Sequence, residues 1–93
     1  MANKPSPSPT WDEYVSELGR NLQRARISSG LSQEQVAYRS HLSRYTYQKL
    51  ESGIARPGAP ANPTLRTLVT VARILAVEVS QILPAAAPDL PEP

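Results

Sequence analysis

Cysteine is absent from this 93-residue chain, and histidine occurs once, as His41. The first absence excludes a disulfide framework and thiolate metal centres, and it fits a reducing compartment. The second excludes a site built on several histidines. Neither a metal nor another cofactor is therefore expected. Phenylalanine is also missing, which leaves Trp11 and four tyrosines as the aromatic residues. No apolar run approaches the roughly 18 residues that span a bilayer. The N-terminus MANKPSPSPT lacks the apolar centre of a signal peptide. A soluble, cytoplasmic chain without membrane contact is expected. Nothing alternates with period two over a strand's length between hairpin signals, so no sheet is expected. Paired carboxylates, a nucleophile beside a base and a phosphate loop are missing too, which argues against an enzyme. The length suits one small domain with a marginal core, to which a partner or a second copy would add stability.

Negative charge is scarce in the middle of the chain. The formal net charge is only +2, but residues 20 to 73 hold nine basic side chains against two acids, Glu34 and Glu51. The remaining acids lie nearer the ends. A polyanion would be met by this basic middle. The prolines are uneven as well. Seven of the ten stand in the terminal stretches. Residues 1–10, rich in Pro and Ser, and residues 84–93, PAAAPDLPEP, bury too little apolar surface to offset the entropy of ordering, so both are expected to be disordered tails. Residues 11–83 form the folded domain.

Apolar spacing predicts an all-α fold of five helices between the tails. The first runs from about Trp11 to Ser28, with Tyr14 or Val15, Leu18, Leu22 and Ala25 on one face. Thr10 is its cap, and Gly30 its left-handed stop. The second starts at Ser32, where Ser32 and Gln35 form an S-x-x-Q capping box, and ends near Ser40. His41 occupies the turn, and Leu42 plugs the corner. The third helix is capped by Ser43 and closed by Gly53. A proline-rich loop, residues 54–63, leads to a fourth helix capped by Thr64, with Asn62 before Pro63 as the other candidate cap. Leu65, Leu68, Val69, Ala72 and Leu75 make its buried stripe. A short fifth helix spans Val79 to Leu83.

The stretch LSQEQVAYRSHLSRYTYQKLESG, residues 31–53, is where chemistry can reside. Two short amphipathic helices joined by a tight turn have the layout of a helix-turn-helix, which lays its second helix in the major groove of DNA. At about 100° per residue, Arg44, Tyr45, Gln48 and Lys49 share one face of that helix, and Tyr47 and Leu50 the other. Arg44 can grip guanine O6 and N7, and Gln48 adenine N6 and N7. Lys49 can reach guanine or phosphate, and Tyr45 a thymine methyl or a phosphate. Gln33 beside the second helix's N-terminus, Ser43, Thr46 and Arg56 are candidate phosphate contacts. An ordinary solvated face is the bland alternative. Four large hydrogen-bonding groups on one face beside a capped helix weigh against it. His41 reads as a turn residue, Trp11 as a packing residue, and Tyr38 and Arg39 as surface.

Residues 18–83 resemble the Cro/phage-repressor-type helix-turn-helix family of transcription regulators. The residues that carry the likeness are Leu18, Gly19, Leu22 and Arg26, GLSQEQVA from Gly30, LSRYTYQKLESG from Leu42, NPTLRTL from Asn62 and ILAVEVSQIL from Ile74. The resemblance implies a five-helix domain that binds double-stranded DNA in a sequence-specific way, usually as a homodimer on a roughly palindromic operator. It matches the family's phosphate-clamping glutamine to Gln33 and its base-reading positions to Arg44, Tyr45 and Lys49. It also implies an internal ion pair between Arg26 and Glu51. Three positions depart from the pattern. His41 stands for the turn glycine, so either it adopts positive φ or the turn is rearranged. Tyr47 stands for a β-branched residue, and its hydroxyl is expected to reach water or a partner. The link at residues 54–63 is longer than usual. In a more minor change, Ala76 replaces a common glycine. The competing reading is a protein-binding adaptor or antitoxin module on the same scaffold, motivated by the exposed tails and the Tyr45/Tyr47 pair. No second domain is large enough to bind a small-molecule ligand, so none is expected. The stretch Val77 to Leu83 is the apolar candidate for a dimer surface.

Overall fold

The computed structural model describes residues 8–91. Expectations for residues 1–7 and 92–93, the outer parts of the two tails, lie outside the described residues. Among the described residues five helices form: α1 (Trp11–Ser29), α2 (Gln33–Arg39), α3 (Arg44–Ser52), α4 (Leu65–Ile74) and α5 (Val79–Ile82). A two-stranded hairpin, β1 (Ile54–Arg56) and β2 (Ala59–Pro60), lies between α3 and α4.

Capping chemistry sets the helix starts. The Thr10 hydroxyl accepts from the Glu13 N–H, and the Glu13 carboxylate accepts from the Thr10 N–H, closing a capping box. Ser32 and Gln35 make the same reciprocal pair at α2. Ser43 and Thr64 cap α3 and α4 through the N–H groups of Thr46 and Thr67. Each cap satisfies donors that the helix leaves without a partner.

The core is continuous. Leu18 and Leu22 of α1 meet Val36 and Ala37 of α2, Tyr47 and Leu50 of α3, Leu68, Val71 and Ala72 of α4, and Ile82 of α5. Of the first helix's alternatives, Val15 is the buried one, and Tyr14 stacks on Trp11. The stripe on α4 differs from expectation. Leu68, Val71, Ala72 and Leu75 are buried, whereas Leu65 is 70% and Val69 46% exposed. Relative to Leu68, Val71 lies about 60° to one side and Val69 about 100° to the other. The helix turns Val71 inward, because Leu75 lies on that same side. Leu65 falls in the first turn, outside the cluster.

The segment expected to be a loop, residues 54–63, instead holds a sheet. Ile54 pairs with Pro60 and Arg56 with Ala59, antiparallel. The turn is Pro57–Gly58. Proline presets its own φ, and Gly58 takes φ +78°, a value that the second position of a type II turn demands. The strands are too short for alternation to be read, but Arg-Pro-Gly-Ala is itself a turn signal. The hairpin is tied down at its base. The Ala61 N–H donates to the Gly53 carbonyl at 2.8 Å, and Trp11 Nε1 donates to the Ala61 carbonyl at 3.2 Å. Residues 84–91 carry no helix or strand, and the Asp89 N–H donates to the Pro9 carbonyl at 2.8 Å.

Two non-glycine residues occupy the left-handed region. His41, in the turn between α2 and α3, and Ala76, after α4, each have φ 58°. Left-handed backbone costs an L-residue about 1–2 kcal/mol, and glycine gives back about 0.4–1 kcal/mol through a more entropic unfolded state. His41→Gly and Ala76→Gly should therefore each stabilise the domain by about 0.5–1 kcal/mol. Thermal unfolding should show midpoints raised by a few degrees. A lowered midpoint would mean that the lost side chain makes contacts worth more than the strain.

Candidate nucleic-acid interface

The helix-turn-helix is held together from within. Arg26, in the last turns of α1, reaches across to Glu51 near the end of α3. Its Nε lies 2.6 Å from Oε2 and its Nη2 3.1 Å from Oε1, a two-oxygen grip. The side chains are only 13% and 5% exposed. A third guanidinium donor, Nη1, satisfies the Leu31 carbonyl at 3.1 Å. Gln33 Nε2 donates to Glu51 Oε1 at 2.9 Å. One carboxylate thus fixes the end of α1, the start of α2 and the end of α3. The Gln33 amide has one N–H engaged here and keeps a second for another acceptor.

Below this network lies Tyr47, fully buried, its hydroxyl close to Glu51 but without a hydrogen bond of good geometry. Burial, with the nearby Glu51 charge, pushes the Tyr47 phenol far above its ordinary range. Burial alone would also raise Glu51. The hydrogen bonds it accepts, that from Arg26 foremost, outweigh burial and hold its carboxyl below the usual value. The hydrogen bond to Glu51 raises Arg26 in turn.

On the opposite side of α3 the long side chains point outward. Arg44, Tyr45 and Gln48 are exposed, Tyr45 by 66%, and Lys49 is half-buried. Lys49 Nζ stands 4.1 Å from the centre of the Tyr45 ring, a cation–π pair that orders both. Arg44 Nη1 lies 3.8 Å from Glu34 Oε2 in a pair so exposed that it holds the guanidinium only loosely. The four residues expected to read bases are thus brought together on one face. Ser43 and Thr46 are engaged with each other: the Ser43 hydroxyl donates to Thr46 Oγ1 at 2.8 Å while accepting from the Thr46 N–H. Arg56 is exposed on β1, beside the end of α3. The Gln33–Glu51 and Arg44–Glu34 contacts were not legible in spacing, since each joins separate helices. His41 and Tyr38 are exposed, and Trp11 packs at the start of α1. Among the described residues no three His, Cys, Asp or Glu side chains group as a metal site, and no helix is long and apolar enough to cross a membrane.

This arrangement has relatives. The family model described as a helix-turn-helix domain matches residues 17–82. The chain belongs to the Cro/phage-repressor-type helix-turn-helix family. Among solved structures, the restriction-modification controller protein C.AhdI from Aeromonas hydrophila is 28% identical, with a TM-score of 0.65 over 74% of this chain and 96% of that one. The DNA-binding domain of BldD is 27% identical, with a TM-score of 0.64 over 78% of this chain and 97% of that one. The biofilm regulator SinR, solved in complex with DNA, shares the fold at 20% identity, with a TM-score of 0.58 over 70% of this chain and 95% of that one. No curated protein matches the chain.

The family's internal ion pair is present here, and its effect on stability is measurable. Glu51 has a carboxyl lowered from about 4.5 in the folded state. Its contribution is therefore fully present above that value and is lost as pH falls through the lower, folded one. Glu51→Gln leaves Arg26 without its counter-charge and should cost about 3–5 kcal/mol at neutral pH. In denaturant titrations the gap between parent and variant should narrow as pH drops below about 4.5. A gap that stayed constant down to about pH 3 would show that the ion pair is not what the substitution removes.

Proposed function

We propose that this chain is a sequence-specific, double-stranded-DNA-binding transcription regulator that lays α3 in the major groove. The observation that carries this reading is the outward face of α3, where Arg44, Tyr45, Gln48 and Lys49 stand together above a buried Tyr47 and Leu50. Arg44 and Gln48 carry the paired donors and acceptors that guanine and adenine edges present in that groove. Lys49, braced by Tyr45, has its charge directed at guanine or phosphate. Phosphates would be met by the free amide N–H of Gln33, by the Thr46 hydroxyl, by Ser43 at the N-terminus of α3 and by Arg56. The neighbours solved as a controller protein, as a DNA-binding domain and in complex with DNA support the same reading.

The chain acts as a homodimer on a roughly palindromic site. A single copy offers few phosphate contacts, and two half-sites one helical turn apart make the second contact intramolecular. Ile82 is 1% exposed, so the stretch from Val77 to Leu83 offers chiefly Leu83 and the half-buried Val77 and Val79 as apolar surface. The adaptor reading loses part of its motivation, because Tyr47 is buried and unavailable to a protein partner.

Arg44→Ala should weaken binding to a selected duplex by about 1–3 kcal/mol. Its exposed side chain makes the melting temperature nearly insensitive to the change. Fluorescence anisotropy on duplexes drawn from a random pool measures the first quantity, and thermal unfolding the second. Equal binding of every duplex by parent and variant would remove the assigned reading face. No binding of random duplex at micromolar protein and low salt would favour the adaptor.

A further inference from the structure

Residues 84–91 carry no helix or strand, yet the fold holds this segment at both ends. At the near end the Asn21 amide of α1 donates to the Ile82 carbonyl at 2.9 Å. At the far end the Asp89 N–H donates to the Pro9 carbonyl at 2.8 Å. From Asn21 back to Pro9, at about 1.5 Å per residue, is about 18 Å. From Ile82 to Asp89, at about 3.1 Å per residue in a polyproline conformation, is about 22 Å. The segment therefore runs along α1 against the chain direction, with little slack. Pro84 and Pro88 are half-buried on this path. Pro84 and Ala86, with Pro9, Tyr14, Glu17 and Arg20, border a depression of about 560 Å³. Composition alone leaves such a segment disordered. Proline lowers the entropy lost on docking, because its φ is fixed beforehand, and three of residues 84–91 are proline.

The docked end leads toward the binding face. Pro9 precedes Thr10, whose hydroxyl caps α1. Trp11 follows, stacked on Tyr14, and its indole N–H donates to the Ala61 carbonyl at 3.2 Å. The Ala61 N–H donates in turn to the carbonyl of Gly53, the residue that closes α3, at 2.8 Å. Asp89, Pro9, Trp11, Ala61 and Gly53 thus form one path from the C-terminal segment to the end of α3. We infer that residues 84–91 are a strap that holds the first turn of α1 and, through Trp11, orders in advance the base of the hairpin and the end of α3. A face ordered before it binds loses less entropy on binding. That effect on DNA rests on the reading of α3 as the helix in the major groove, whereas the strap itself does not.

Trp11 is the only tryptophan, so its indole N–H gives a single resonance whose exchange with solvent reports the bond to Ala61. The test compares the full chain with Asp89→Pro, which removes the N–H donor, and with Asp89→Asn, which keeps it. Residue 89 lies outside the helices and the core, so both variants should fold. Asp89→Pro should speed indole exchange by roughly three- to tenfold, the worth of one hydrogen bond. It should weaken binding to a duplex selected from a random pool by roughly two- to tenfold. Asp89→Asn should match the parent in both measurements. Indole exchange unchanged in Asp89→Pro would overturn the strap. Faster exchange with unchanged affinity would overturn its link to the binding face. Protection that rose with protein concentration would mean that a second copy supplies the segment, and would overturn a strap within one chain. A parent that bound no duplex would overturn the reading of α3 and with it the link to binding, while indole exchange tests the strap by itself.

Discussion

The grip of Arg26 on Glu51 is the contact on which the geometry of the binding face depends. Three helices converge on one carboxylate, and two of them contribute to the proposed DNA surface. The approach is close enough to exclude any side chain at Gly19. A Cβ there would lie 2.2 Å from the Glu51 carbonyl oxygen, so α1 and α3 touch backbone to backbone just where the ion pair bridges them. Removing two charges from water is expensive, and a buried pair seldom adds net stability over apolar side chains of the same size. What the pair supplies is register. An apolar contact would tolerate a slide of α3 along α1, whereas a two-oxygen hydrogen-bonded pair tolerates little. Gln33, sharing the same carboxylate, is placed relative to α3 by that register.

The division of α3 into two faces explains how a nine-residue helix can be both core and surface. Tyr47 and Leu50 are turned inward and anchor it; Arg44, Tyr45 and Gln48 are turned outward. Tyr47 is an awkward anchor. It fills space well, yet its hydroxyl is buried without a partner among the described residues, and such a group carries a desolvation cost. Its nearness to Glu51 is the partial compensation, since a phenol dipole beside a carboxylate favours the charged form.

Most of the fold could be read in advance because its signals are local. Thr10, Ser32, Ser43 and Thr64 each stand where a helix needs a hydroxyl acceptor, and the structure uses all four. The resemblance to the family supplied the Arg26–Glu51 pair, which no local pattern would have shown. Two readings failed for reasons of context. The expected α4 stripe runs through Val69, whereas the structure buries Val71, and the position of the other helices decides which side of Leu68 turns inward. The hairpin has strands of three and two residues, too short for period-two alternation, so the Pro57–Gly58 turn was its only mark. Contacts such as Gln33–Glu51 and Arg44–Glu34 arise from how helices are set against one another, which spacing within a helix does not encode.

Backbone strain at two helix exits shows the packing of the core overriding local preference. His41 and Ala76 hold left-handed backbone that glycine would adopt freely. In each case the chain is bound back onto the helix it has just left: the Leu42 N–H donates to the Ala37 carbonyl, and the Val77 N–H to the Ala72 carbonyl. Those hydrogen bonds close the helix ends in the same way a glycine terminator would. The left-handed conformation is thus imposed by the adjoining residue, the half-buried Leu42 or Val77, which must reach the core. At the first of these turns the consequence is functional. The left-handed step at His41 lies in the turn that sets α3 against α2, while the spacing of four within α3 keeps Arg44 and Gln48 on one face.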